Sequence, residues 1–349
     1  MNLDQRRLVV EPWRLSLRDT FRIAREASDL RDNVLVRVRD ASGLEGVGEA
    51  APSPYYGQSA ASVSDALQRL SWPADSDAFV LEDLLAALAP QLEGQSSALA
   101  ALDMALHDLV GKRLGAPLHR LWGLNAAKAP LTSYTIGLAS LDEIRRKTEQ
   151  AAPYKILKVK LGGDQDKQII ATIRQVTDVP IRVDANAAWS VSEALENLRW
   201  LKDEGIELVE QPLPKDDLDG MAQVTEASPL PVIADESACT PRDVVKLAGR
   251  VHGINIKLAK CGGLREALKM IHIARAAGMQ VMLGCFIESS VGITAAAQLS
   301  PLVDYADLDG HLLLAQDPAR GVGVEEGRLV LPQGPGIGVE LVQSQAKTK

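Results

Sequence analysis

Two hydrophobic rhythms divide the chain. Leu8 to Leu17 and Asn33 to Val38 alternate apolar with polar residues, and Asp40-Ala41-Ser42-Gly43 supplies a turn before Leu44 to Ala50. A period of two belongs to a strand with one buried face, so this stretch predicts a small antiparallel sheet. From Ser97 the run Ala-Leu-Ala-Ala-Leu-Asp-Met-Ala-Leu-His-Asp-Leu-Val-Gly-Lys changes to helical spacing and stops at Gly115-Ala116-Pro117. Strands followed by helices predict an α+β module over residues 1–125.

Beyond it, short apolar runs alternate with amphipathic ones. The runs end near Thr135, Lys160, Asp184, Glu210, Asp235, Lys257, Cys285 and Asp307, successive ends lying about 22 to 28 residues apart. That interval holds one strand, one helix and two short loops, and eight of them close a barrel. Ser190 to Glu204 reads as a helix stopped by Gly205, and Pro241 opens another over Pro241 to Leu247. The eighth helix is shortened, so residues 126–320 predict an α/β fold, a modified TIM barrel of (β/α)7β form capped by the N-terminal module. Residues 321–349 are expected to return to the cap through a strand at Arg328 to Leu331 and to end in a disordered polar tail, Gln343 to Lys349.

Composition narrows the partners. At 349 residues, 46% hydrophobic and 24% charged, the chain is that of a globular protein with room for two units. A net charge of −8 and 4% aromatic residues argue against nucleic acid, which needs clustered cations and stacking rings. No run approaches a membrane span or a signal peptide, which predicts a cytoplasmic protein acting on a small molecule. Cys239, Cys261 and Cys285 lack metal or disulfide spacing and read as buried thiols. An enzyme of this size is compatible with a homo-oligomer.

The working face of such a barrel is the C-terminal end of its strands, and here those ends are charged. Asp184, Glu210 and Asp235 finish three consecutive strands, each directly after apolar residues. Three acids on one rim repel one another unless a cation sits between them, and an oxygen-only set suits Mg²⁺. Capping of the following helices is the other reading of each acid. Lys158 and Lys160 share a strand face, and crowding two ammoniums is expected to push a lysine toward acting as a base near neutrality. Lys257 ends a strand across the barrel, so a substrate on the metal would have a lysine on each side: one removes a proton, the other returns one. Solvated strand ends are the alternative for these lysines. Lys155 and Lys260 are expected to point away from the mouth.

These residues resemble the enolase superfamily, its muconate-lactonizing-enzyme subgroup and, within that, the dipeptide epimerases of the L-Ala-D/L-Glu epimerase type. The resemblance runs through Lys158-Val159-Lys160, Val183-Asp184-Ala185-Asn186, Glu210-Gln211-Pro212, Asp235-Glu236-Ser237 and Asn255 to Gly263, with Gly48-Glu49-Ala50 and Ala101 to Leu109 in the first module. It implies a cap with recognition loops at Phe21 to Leu30 and Pro52 to Gly57. It also implies Mg²⁺ on Asp184, Glu210 and Asp235, a substrate carboxylate on that metal, and a 1,1-proton transfer by Lys160 and Lys257 through a stabilised enolate. Asp307 and Asp309 resemble a clamp for the free α-ammonium of a dipeptide; a solvated turn is their other reading. Arg25 resembles a loop arginine that pairs with a glutamate side chain, although Glu26 beside it could neutralise it or favour a cationic dipeptide. Tyr55 and Tyr56 either line the pocket or pack the cap. Thr135, Lys158, Cys285 and Phe286 complete the expected substrate contacts. The absence of His over Gly284 to Glu288 argues against the sugar-acid dehydratases of the superfamily. Epimerisation of L-Ala-L-Glu or a similar dipeptide is the leading expectation. N-acylamino-acid racemase, o-succinylbenzoate synthase, muconate cycloisomerase and a non-catalytic anion-binding barrel are its competitors.

Overall fold

The computed structural model describes residues 8–23, 26–73 and 76–342. Three antiparallel strands open the cap: β1 (Leu8–Ile23), β2 (Glu26–Arg39) and β3 (Glu45–Ala50). The β1/β2 hairpin is longer than the alternation predicts, with a register shift between Ser16 and Phe21. The segment expected as a recognition loop is therefore ladder-paired strand over most of its length, reaching across the barrel rather than into the core of the cap. Helices α1 (Ala60–Gln68), α2 (Leu81–Leu88) and α3 (Ser96–Leu114) complete the module.

Helix α3 is buried along nearly its whole length and ends on Gly115 in the left-handed conformation, as the Gly-Ala-Pro stop implies. Strand β3 lies directly against it. A Cβ at Gly46 or Gly48 would fall 2.0 Å from the carbonyl oxygen of Ala105 or Ala101, so only glycine permits that approach.

A short α4 (Leu118–Leu121) leads to the barrel, whose strands are β4 (Tyr134–Ile136), β5 (Leu157–Lys160), β6 (Ile181–Asp184), β7 (Ile206–Glu210), β8 (Val232–Ala234), β9 (Gly253–Ile256), β10 (Gln280–Gly284) and β11 (Tyr305–Asp307). Between them run α5 (Leu141–Gln150), α6 (Asp166–Arg174), α7 (Val191–Asp203), α8 (Leu218–Ala227), α9 (Pro241–Leu247), a turn of α10 (Leu258–Cys261), α11 (Leu264–Ala276) and α12 (Ser290–Ala297). All are parallel and in sequence order, and after β11 only a 3-10 turn at Gly310–Leu313 stands where an eighth helix would be. Capping boxes at Ser140, Ser190 and Thr240 start α5, α7 and α9, and the last two helices lie where Ser190 and Pro241 predict.

No ladder joins β4 to β11. The seam is closed instead by Ser133 N–H to Ala306 O at 3.1 Å, Leu308 N–H to Thr132 Oγ1 at 2.8 Å and Ser133 Oγ to Asp307 Oδ1 at 2.7 Å. The barrel's hydrophobic cluster continues into the cap through Leu35, Val47, Ala100 and Met104, so the two units share a core. Strands β12 (Ala319–Arg320), β13 (Gly323–Glu325), β14 (Arg328–Val330) and β15 (Glu340–Leu341) follow. This segment meets the cap where Ile337 N–H donates to Asp108 on α3. The tail from Gln343 lies outside the described residues.

Candidate active site

The C-terminal strand ends and the cap enclose a cavity of about 550 Å³. Its floor is barrel rim: Thr135, Lys158, Lys160, Asn186, Asp235, Lys257, Cys285, Asp307 and Asp309 all line it. Its roof is cap, with Phe21 and Arg31 from the hairpin and Pro52 to Tyr56 from the loop after β3.

On the floor Asp184, Glu210 and Asp235 bring one carboxylate oxygen each to within 4.8 Å of one another, all three side chains buried. Octahedral Mg²⁺ at about 2.1 Å per bond separates trans oxygens by about 4.2 Å, so small side-chain movements seat the ion. The donor set fits it: all-oxygen, anionic, with no His or Cys in the group.

Neighbouring backbone and side-chain groups hold these acids in place. Asn186 N–H donates to Asp184 Oδ1 at 2.9 Å, and Asn255 Nδ2 on β9 reaches Glu210 Oε1 at 2.8 Å. Gln211 spans two strand ends: its Oε1 accepts from Asp235 N–H at 2.8 Å while Nε2 donates to Leu213 O and Ser237 Oγ. Ala187 and Gln211 sit at φ of 62° and 35°, a costly region for side-chain-bearing residues, which the rim hydrogen bonds over-determine.

Four lysines meet these acids. Lys160 Nζ lies 2.5 Å from Asp184 Oδ2 on one side, and Lys257 Nζ lies 2.8 Å from Asp235 Oδ2 on the other. Lys158 Nζ stands 2.7 Å from Glu210 Oε2, 2.7 Å from Asp307 Oδ2 and 3.2 Å from Asp184 Oδ2. Lys260, expected to point away, is buried and donates to the Asp235 carboxylate, the Asp235 carbonyl and Asn255 O. It lies on α10, past the strand, and the helical turn folds its side chain back under the rim. Lys155 is half exposed and pairs loosely with Glu326.

The electrostatics reverse one expectation. Crowding of Lys158 with Lys160 predicts a neutral lysine; burial does press that way on Lys158, but the acids around it outweigh it and raise it, and Lys257 across the floor is raised likewise. Burial works against the charged form of Asp184 and Asp235 too, yet Lys160 and Lys158, and Lys257 and Lys260, hold those carboxyls below the ordinary range. Glu210 behaves differently: burial and the charge of Asp184 push it up to about 8.

At the seam, Asp307 accepts from Lys158 and Ser133, while Asp309 Oδ2 accepts from Thr135 N–H at 2.6 Å. Both acids face the cavity, so the reading of a solvated turn does not hold. Burial and the neighbouring Asp307 raise Asp309 to about 7, whereas Lys158 keeps Asp307 low despite burial. Cys285 donates to Asp307 O, and the Phe286 ring lies under the Lys257 ammonium at 5.1 Å. Tyr55 and Tyr56 form an edge-to-face pair with centroids 4.9 Å apart at the wall, and Tyr56 also leans on Phe286. Arg25 lies outside the described residues. Arg31 and Asn33, which line the roof, escape a sequence reading because strand alternation alone does not say which cap face meets the barrel.

With the geometry in view, the relatives are informative. Residues 6–123 match the family model described as mandelate racemase / muconate lactonizing enzyme, N-terminal domain, and residues 140–345 match enolase C-terminal domain-like. An L-Ala-D/L-Glu epimerase of Bacteroides thetaiotaomicron is 49% identical over 94% of this chain and 86% of its own. An L-Ala-D/L-amino acid epimerase of Maribacter is 44% identical over 96% and 99%. A dipeptide epimerase of Cytophaga hutchinsonii, solved with Mg and D-Ala-L-Val, superposes with a TM-score of 0.91 at 28% identity, over 99% of this chain and 97% of that one.

Proposed function

The chain belongs to the enolase superfamily, in its mandelate racemase / muconate lactonizing enzyme group, and from that membership we propose that it is an isomerase epimerising L-Ala-L-Glu or a similar dipeptide. The reaction inverts the α-carbon of the C-terminal residue. The observation that carries this reading is the pair Lys160 and Lys257, on opposite strands of one cavity, flanking the buried triad Asp184, Glu210 and Asp235.

Mg²⁺ held by that triad would bind the substrate carboxylate and offset the negative charge that develops as the α-proton leaves. The acids that raise Lys257 would lose that hold once their charge is offset, so the lysine on one face takes that proton as a free amine and the lysine on the other gives one back as an ammonium. The carbon is inverted and no proton is gained or lost overall. Lys158 does neither: held by three carboxylates, it joins the triad to Asp307 and keeps the floor's charge balanced. Asp307 and Asp309 receive the α-ammonium of the first residue at the seam. That favours a dipeptide over the N-acylamino acid, succinylbenzoate and muconate readings, whose substrates carry no such cation. Cys285, Phe286, Thr135 and Tyr55 shape the walls, and Arg31 on the roof suits an acidic second residue.

Among the described residues no helix is long and apolar enough to cross a membrane. A cytoplasmic place and no nucleic-acid partner complete the reading, which is compatible with a homo-oligomer. The domain division at about residue 125, with the C-terminal segment returning to the cap, belongs to it as well.

The direct test is α-deuterium incorporation from D₂O into a library of L,L-dipeptides with Mg²⁺, read by mass spectrometry. Label at the C-terminal residue of Ala-Glu-like dipeptides is expected. Incorporation only into N-acylamino acids, or into nothing, sinks the proposal.

A further inference from the structure

Glu49 plays no part in the proton transfer, yet it is among the most thoroughly bonded side chains in the molecule. It is wholly buried at the end of β3, on the cap, and every bond it makes across the interface goes to Ser289 or Gly292, where one barrel loop runs into α12. Its Oε1 accepts from Ser289 N–H at 3.0 Å, and its Oε2 from Ser289 N–H and Gly292 N–H at 3.1 Å each and from Ser289 Oγ at 2.5 Å. Asn33, also on the cap, bridges Glu49 Oε1 at 2.7 Å to Ile287 O at 3.2 Å. Trp13 Nε1 adds a third cap contact, to Ser289 Oγ at 3.0 Å.

The loop so held runs from β10 to α12 and carries Cys285, Phe286 and Ile287, all in the cavity wall. Glu49 thus accepts, from another unit, the N–H of Ser289 at the N-cap of α12 and that of Gly292 in its first turn, where the helix offers no acceptor of its own. The same loop carries Phe286 against the Lys257 ammonium.

We propose that Glu49 is a positioning residue: a carboxylate supplied by the cap that fixes the loop after β10 and, through Phe286, the ammonium of Lys257. The cap therefore does more than roof the cavity; its docking completes one of the two proton-transfer faces. The kinetic part of this inference rests on the proposed epimerisation, whereas the structural part does not.

Glu49→Gln keeps the shape but turns one acceptor oxygen into a donor facing N–H groups. Hydrogen exchange of peptides covering residues 285–292 is expected to speed by at least about tenfold, while peptides in β6 and β7 stay as in the wild type. With L-Ala-L-Glu at saturating Mg²⁺, kcat should fall at least about tenfold, with Mg²⁺ affinity unchanged. Ser289→Ala, which leaves Glu49 in place and removes one of its donors, should move both readouts the same way by less. Unchanged exchange at 285–292 overturns the proposal. So does faster exchange throughout the protein, which would make Glu49 merely structural, and so does local loosening with kcat intact. If the wild type labels no dipeptide at all, the reaction assignment fails, and the exchange comparison still decides whether Glu49 holds the loop.

Discussion

Lys158 on β5 and Asp307 on β11 are 2.7 Å apart across the barrel mouth, and that contact merges two acidic groups into one array. The same ammonium touches Glu210 and Asp184, so the triad and the seam acids share a counterion. Charge put on or taken off one end of the floor is felt at the other.

The two lysines should separate by face. Lys160→Ala and Lys257→Ala are each expected to lower epimerisation by at least about a thousandfold, within the range for loss of an acid/base group. One variant should still exchange the α-proton of the L,L-dipeptide and the other that of its epimer, followed by NMR in D₂O. Equal residual exchange of both epimers in one variant would show that a single base serves both faces.

Asp309 should place an acid limb on the kcat/KM profile. Its carboxyl titrates at about 7 in the free protein because burial and Asp307 disfavour its charge, with Lys158 acting the other way. Below that pH it is protonated and one of two charges awaiting the α-ammonium is gone, so kcat/KM should fall as pH drops through 7. Asp309→Asn should remove the limb and lower kcat/KM at pH 8. A limb that survives the substitution belongs to another group.

Chelation should stop catalysis without unfolding the protein. Each triad carboxylate already contacts a lysine, so the floor is not left with bare buried anions. Circular dichroism in EDTA is expected to match that of the untreated protein. Readdition of Mg²⁺ to about a hundredfold excess over its Kd should restore activity and add about 2.7 kcal/mol to stability by mass action. Collapse of the native signal in EDTA would mean that the lysines do not suffice.

Asp108 on α3 is a structural counterpart. Wholly buried, it accepts from Val47 N–H and Ile337 N–H at 2.9 Å each and pairs with Lys112 at 2.7 Å, binding sheet, helix and C-terminal segment together. Asp108→Ala should cost about 3 kcal/mol, as expected for breaking a buried charged group with its hydrogen bonds. Denaturant titration gives that number directly, and a loss under 1 kcal/mol would deny the role.

The barrel was readable because each strand is a short apolar run ended by a charged or polar group, so Lys160, Asp184 and Glu210 mark their own strand ends. The triad followed from chemistry alone: acids on adjacent strand ends need a cation. What escaped was non-local. Lys260 follows its strand by a helical turn, and no periodicity predicts that the turn folds back beneath Asp235. Neighbouring lysines alone do not decide the charge of Lys158, because the carboxylates packed around it, distant in sequence, outweigh them. Arg31, Asn33 and Glu49 gain their meaning only when the cap is laid on the barrel, a relation between segments as distant as Glu49 and Ser289.

The seam between β4 and β11 has a consequence for how substrate range can change. Where other strands are zipped by backbone ladders, this joint has the backbone bond of Ser133 N–H to Ala306 O and is otherwise fastened through side chains, Asp307 and Asp309 among them through Ser133 and Thr135. On the proposed role of these two acids, recognition at the amino end of a dipeptide is thereby tied to barrel closure, and altering it should loosen the scaffold. The roof residues Phe21, Arg31 and Tyr55 stand on the cap and not on β4 or β11, so on the proposed reading they are the places to vary second-residue preference.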